Sequence, residues 1–135
     1  MTAPSATLPV WKDGVPTPSF SALTKNVTTD VCIIGAGIAG LTTAYLLKKE
    51  GKKVVVLDDG PIAGGETERT TAHLSLVLGQ RYTWLEDVHG TDGATLIAAS
   101  HTAAIDRIEQ IVKEERIDCD FSRLPGYLFL PPDED

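Results

Sequence analysis

The chain has 135 residues, a formal net charge of −7, 42% hydrophobic residues and 23% charged residues. That balance suits one modest globular domain and excludes a disordered polar chain. The acidic charge argues against a nucleic-acid surface and against docking on an anionic membrane, because both need clustered Lys and Arg.

Residues 1–27 are rich in Pro, Ser, Thr and Ala, and Pro4, Pro9, Pro16 and Pro18 forbid a long helix. An extended N-terminal arm is predicted, pinned to the body by Val10, Trp11, Phe20 and Leu23. Residues 1–10 show no basic region followed by an apolar run, and no stretch reaches the ~20 apolar residues that cross a bilayer. Cys32 and Cys119 stand far apart with no C-x-x-C and no His cluster, so no metal is expected and both read as buried free thiols. A reducing, cytoplasmic setting fits them.

Val31 to Ile34 is a short apolar run between Asp30 and Gly35, the pattern of a strand buried on both faces. Ile38 to Glu50 follows in helical rhythm, with Lys48 and Lys49 in the last turn and Gly51 as the stop. Lys53 to Leu57 is a second Val-rich strand, ended by Asp58. Strand, helix, strand between Asp30 and Asp58 is one parallel crossover unit. Turn residues fill 60–75. A short helix over Tyr82 to Val88 and a longer one from about Asp92 to Arg116 come next, the latter with Ile97, Ile105, Ile108 and Ile111 on one face. Asp118 to Phe121 and Tyr127 to Leu130 read as short strands around Pro125-Gly126.

Gly35-Ala36-Gly37-Ile38-Ala39-Gly40 is G-x-G-x-x-G, placed after a predicted strand and opening a predicted helix, which is the context that gives the motif meaning. Gly35 serves the sharp turn, Gly37 leaves room for a diphosphate to approach the main chain, and Gly40 lets the helix pack on the sheet. The first-turn N–H groups lack internal partners and face the positive end of the helix dipole, so they receive a dinucleotide's phosphates without basic side chains. Asp58, about 20 residues further on, suits the ribose hydroxyls and disfavours a 2′-phosphate. Asp59 is the neighbouring candidate. The fold class is therefore α/β, a Rossmann-like unit of an incomplete doubly wound parallel sheet.

The unit alone does not separate FAD from NAD. Gly60-Pro61-Ile62-Ala63-Gly64-Gly65-Glu66-Thr67-Glu68-Arg69-Thr70-Thr71-Ala72-His73-Leu74-Ser75 resembles the second signature of FAD-dependent oxidoreductases of the D-amino-acid oxidase type. Thr70-Thr71-Ala72-His73 and Leu124-Pro125-Gly126-Tyr127 further resemble members with a C-terminal Rieske domain, although no C-x-H…C-x-x-H pair is present here. The resemblance implies FAD as cofactor, a small-molecule amine or amino-acid substrate, and oxidation of a C–N bond. It also implies that Gly64 and Gly65 let the chain pass close to the cofactor. Thr70 and Thr71 would offer donors to phosphate or flavin, and Arg69 would reach the diphosphate or the adenosine side. His73 has two equal readings, a flavin neighbour or a hydrogen-bonded structural histidine. The implied layout is an arm at 1–27, an FAD-binding Rossmann-like domain at 28–116, and the start of a truncated substrate domain at 117–135. An NAD-linked dehydrogenase and a non-catalytic nucleotide-binding module are the alternatives; the first leaves Gly64 to Ser75 without a reason.

Overall fold

The structure is a computed structural model that describes residues 9, 12–77, 79 and 81–127. It contains a strand β1 (Val31–Ile34), a helix α1 (Ile38–Lys49), a strand β2 (Val54–Leu57), a 3-10 turn (Thr67–Arg69) and a helix α2 (Tyr82–Glu115). The chain divides into two compact units, one ending at His73 and one beginning at Leu74.

The first unit is the expected parallel α/β crossover. β1 and β2 pair in parallel, with Val31 opposite Val54 and Ile34 opposite Leu57. Thr29 and Asp30 fasten the entry to this pair: Lys53 N–H donates to the Asp30 carboxylate at 2.8 Å, and the Thr29 hydroxyl donates to Lys53 C=O at 2.6 Å. α1 packs on both strands. Its end carries the two bonds of a Schellman cap, Gly51 N–H to Lys48 C=O and Lys52 N–H to Leu47 C=O, with Gly51 in the left-handed region that glycine tolerates (φ 77°). Only one face of β1 is covered. Val31 and Ile33 are half-buried, whereas Cys32 and Ile34 are exposed. The double burial expected for β1, and for the Cys32 thiol with it, is therefore not met: the pleat turns these side chains away from α1, and no described residue covers them.

In the second unit α2 consists of the two predicted helices, which meet at a break at Gly90 (φ 71°, ψ 168°). Leu85 and Ala94 are its buried apolar residues among those described. Ile97, Ile105, Ile108 and Ile111 are half-buried on one stripe. Arg116 ends α2 in the left-handed conformation, with Ile117 N–H donating to Val112 C=O at 2.9 Å.

Three further expectations need correction. Asp118 to Phe121 is irregular, because Asp120 takes a positive φ of 52° that an extended strand does not allow. Cys119, in that segment, is exposed. Phe20 and Leu23 are exposed and pin nothing. Val10, Trp11 and 128–130 lie outside the described residues; Tyr127, at the start of that last predicted strand, is irregular.

Candidate dinucleotide-binding site

The site is built where β1 gives way to α1. Gly35 has φ 102°, which a side chain would strain, and its N–H donates to Leu57 C=O at 2.7 Å as the last rung of the parallel pair. Ala36 is then buried, 4% exposed, and held twice. Its N–H donates to Asp58 Oδ2 at 2.5 Å, and its C=O accepts from Ala63 N–H at 2.9 Å. Gly40 faces back onto this turn so closely that a Cβ there would lie 2.0 Å from Gly35 O, a contact with rigid backbone. The third glycine of the motif is a steric necessity whatever the turn binds.

Asp58 follows the last residue of β2 and joins two loops. Oδ2 takes Ala36 N–H, and Oδ1 takes Gly60 N–H at 2.8 Å. The Ala36 bond, then those of Gly60 and Asp59, hold the carboxyl below its ordinary range against a smaller desolvation effect. The group is thus an anion at neutral pH, and each oxygen keeps capacity to accept from a further donor.

The loop after β2 folds over the glycine turn. Gly64 N–H donates to Pro61 C=O at 2.9 Å, and Ala63 adopts φ 57° so that Glu68 N–H can return to Ala63 C=O at 3.1 Å. That return brings Thr67 above α1. Its Oγ1 accepts from Ile38 N–H at 3.0 Å and lies 3.2 Å from where a Cβ on Gly37 would be. Turn and loop enclose a cleft of ≈ 320 Å³.

Of the residues singled out from sequence, Ala36, Gly37, Asp58, Asp59, Gly64 and Gly65 line this cleft, while Gly35, Ile38, Ala39 and Gly40 form the turn and first helical residues beside it. Arg69, Thr70, Thr71 and His73 are exposed and do not line it. The Thr70 hydroxyl is committed locally, donating to Thr67 C=O at 3.2 Å and accepting from Ala72 N–H at 3.4 Å. Sequence reasoning passed over Gly60 and Thr67. The signal for Thr67 was a hydroxyl two residues after Gly64-Gly65, overshadowed by the Thr70-Thr71 pair.

The cleft suits the ADP half of a dinucleotide. The N–H groups of Ala39 and Gly40, at the start of α1, have no acceptor among the described residues, so the positive end of the helix keeps donors for an anion. The expectation that every first-turn N–H is open needs amendment, because Thr67 already occupies that of Ile38. Gly37 has no Cβ, and Asp58 holds an anionic acceptor beside the turn. Among the described residues, no group of three or more His, Cys, Asp or Glu gathers to hold a metal, and no helix is long and apolar enough to cross a membrane.

Comparison with known proteins agrees with this geometry. The chain is 38% identical over 119 residues to YhfW of Bacillus subtilis, whose name carries a Rieske 2Fe-2S iron–sulfur designation; the match covers 88% of this chain and 23% of that protein. It is 32% identical over 111 residues to the gamma-glutamylputrescine oxidoreductase of Escherichia coli, covering 82% of this chain and 26% of the relative. The chain thus spans about a quarter of the length of these curated relatives. No solved structure matches it at comparable stringency. Residues 30–135 match the FAD dependent oxidoreductase (DAO) family, beginning one residue before β1 and taking in the glycine turn, Asp58 and the folded-over loop. A glycine turn, a strand-end carboxylate and a family match that runs through both belong together: the chain is a member of the DAO family of FAD-dependent oxidoreductases.

Proposed function

We propose that this chain is the FAD-binding part of an oxidoreductase that oxidises a C–N bond of a small amine or amino acid. The observation that carries the substrate class is the 32% identity to an enzyme named for gamma-glutamylputrescine, an amine. When bound, FAD supplies the acceptor for hydride. The chain's own share is to hold and orient it. The N–H groups of Ala39 and Gly40 receive the diphosphate, Gly37 admits it, and the Asp58 carboxylate accepts from the ribose hydroxyls, with Asp59 beside it. Gly64 and Gly65 keep the far wall thin. Arg69, Thr70, Thr71 and His73 enter as residues of the same loop segment, outside the cleft itself.

The layout that goes with this reading is an arm at 1–27, the cofactor domain at 28–116 and the opening of a substrate domain at 117–135. A small-molecule substrate and a cytoplasmic setting complete the proposal.

An absorbance spectrum of the purified intact protein is the test. Flavin bands that bleach anaerobically on adding amines, and not on adding 2-hydroxy acids, are expected. A colourless protein whose thermal midpoint is unmoved by added FAD would refute the reading.

A further inference from the structure

The loop that carries Thr67 lines the cleft. Its own turn is short: a 3-10 segment of three residues, with Arg69 N–H donating to Glu66 C=O at 3.0 Å. Such short 3-10 pieces have weak hydrogen-bond geometry and little intrinsic persistence. A second fastening comes from far away in sequence. Lys12 Nζ forms an ion pair with Glu68, the residue next to Thr67. Both side chains are largely covered, 26% and 17% exposed, so this pair is screened less than an ordinary surface pair. Lys12 is itself set by a local turn: its N–H donates to Pro9 C=O at 3.0 Å, and its C=O accepts from Val15 N–H at 3.3 Å. From Val15 through Thr28 the arm runs without regular structure.

We propose that the N-terminal arm is a latch for the cofactor loop, with Lys12 as a positioning residue that acts through Glu68 to seat Thr67 over the glycine turn. The chain of contacts is Lys12 to Glu68, Glu68 by its backbone to Ala63, Ala63 to Ala36, and Thr67 to Ile38. The last two links end on the turn and on the first residue of α1. Releasing the ion pair lets the 3-10 segment drift, and the cleft wall then has to be ordered at the moment of cofactor binding, which lowers affinity without touching any group that meets the cofactor. The arm is thus part of the cofactor site by mechanical coupling, not a dispensable leader to the domain. This inference rests on the reading that FAD lies at the glycine turn.

The test is an FAD titration by fluorescence on the intact protein for Lys12→Glu, Glu68→Lys, the double exchange of both charges, and Lys12→Arg, with Gly37→Val alongside. Each single reversal is expected to weaken FAD binding about fivefold, the upper range for a partly covered ion pair. The double exchange and Lys12→Arg are expected to recover most of it. Hydrogen exchange of the Ala63–Thr70 amides in the cofactor-free protein should rise in the single reversals and fall back in the double exchange. A merely structural ion pair would lower the thermal midpoint in the single reversals and recover it in the exchanged pair while leaving FAD affinity unchanged throughout. Unchanged FAD affinity in both single reversals, with affinity lost in Gly37→Val, overturns the latch and leaves the site standing. Unchanged affinity in Gly37→Val removes the site itself, and the latch with it.

Discussion

The two ends of the first α/β unit make opposite offers to an anion. At the start of α1, the turn offers backbone N–H groups, a glycine without a side chain, and two carboxylates nearby. At the other end, where α1 gives way to β2, Lys48, Lys52 and Lys53 line a cleft of ≈ 360 Å³ together with Tyr45 and Val54. Counting charges alone would send a diphosphate to the lysines. On the proposed reading the backbone sends it the other way. At the end of α1 the dipole is negative, so cations there answer the protein's own carbonyls, two of which are also capped by Gly51 and Lys52 N–H. The lysine stems must also give up rotamer freedom to grip anything, whereas N–H groups locked in a helical turn are ordered already. Fixed dipoles in a glycine turn can therefore outrank mobile charge in choosing where an anion binds, and an acidic protein can hold a diphosphate without a basic patch.

The most damaging way to break this contrast is Gly40→Ala. With a Cβ placed 2.0 Å from Gly35 O, helix and turn cannot both keep their positions. The expected cost is at the top of the overpacking range, about 3 kcal/mol or more. A urea midpoint well below that of the wild type, with FAD binding lost, is the outcome to look for; a wild-type midpoint would mean that helix and turn are not packed as described. Gly37→Val is the sharper probe, because Gly37 has φ −81°, ψ −175°, which a valine accepts, and the only close neighbour of its Cβ among the described residues is the Thr67 hydroxyl. Folding should survive while FAD affinity falls by roughly 100-fold, about 2.7 kcal/mol.

Asp58→Asn sits third. It keeps the size and removes the charge, and its single amide oxygen can accept from only one of Ala36 and Gly60, so one of the two bonds is lost and the other weakens, and FAD affinity should drop about tenfold. Its pH signature is more specific. The folded carboxyl is held below the ordinary value of 3.8, chiefly by the Ala36 N–H. The unfolded chain therefore binds the proton more readily, and stability rises with pH across that interval. The contribution is complete above the ordinary value and is lost as pH falls through the lower folded value. Acid titration of the wild type should show a destabilising step below about pH 4 that Asp58→Asn lacks. A step of equal size in both proteins would assign it to another group.

The sequence made the strand–helix–strand unit legible because its signals are local: apolar runs of four, a helical rhythm, and glycine at both ends of α1. The motif glycines and Asp58 were legible for the same reason. Thr67 was not, because its role depends on a left-handed Ala63 folding the loop back by several residues, and no spacing rule announces a positive φ at an alanine. The strand expected at Asp118 to Phe121 failed on the same kind of event, a positive φ at Asp120. Burial of Cys32 was misjudged because an apolar run reports what a strand can tolerate on each face, and only packing decides which face is covered.

The smallest expected effect tests the comparison from its other side. Lys48→Gln with Lys52→Gln removes two positive charges from the larger cleft and leaves the glycine turn untouched. If mobile charge chose the binding end, FAD affinity would fall and its dependence on salt would flatten. If the backbone chooses it, affinity should stay within about twofold of the wild type, since exposed charges beyond a Debye length of ~10 Å are largely screened at ordinary ionic strength. What should change is α1 itself. Losing Lys48 from its last turn removes a favourable charge–dipole term of about 0.5 kcal/mol, readable as a slightly lower urea midpoint. A pair of substitutions that costs the helix a little stability and the cofactor nothing is the result that separates the two ends; a loss of FAD binding with an unchanged midpoint would reverse the assignment.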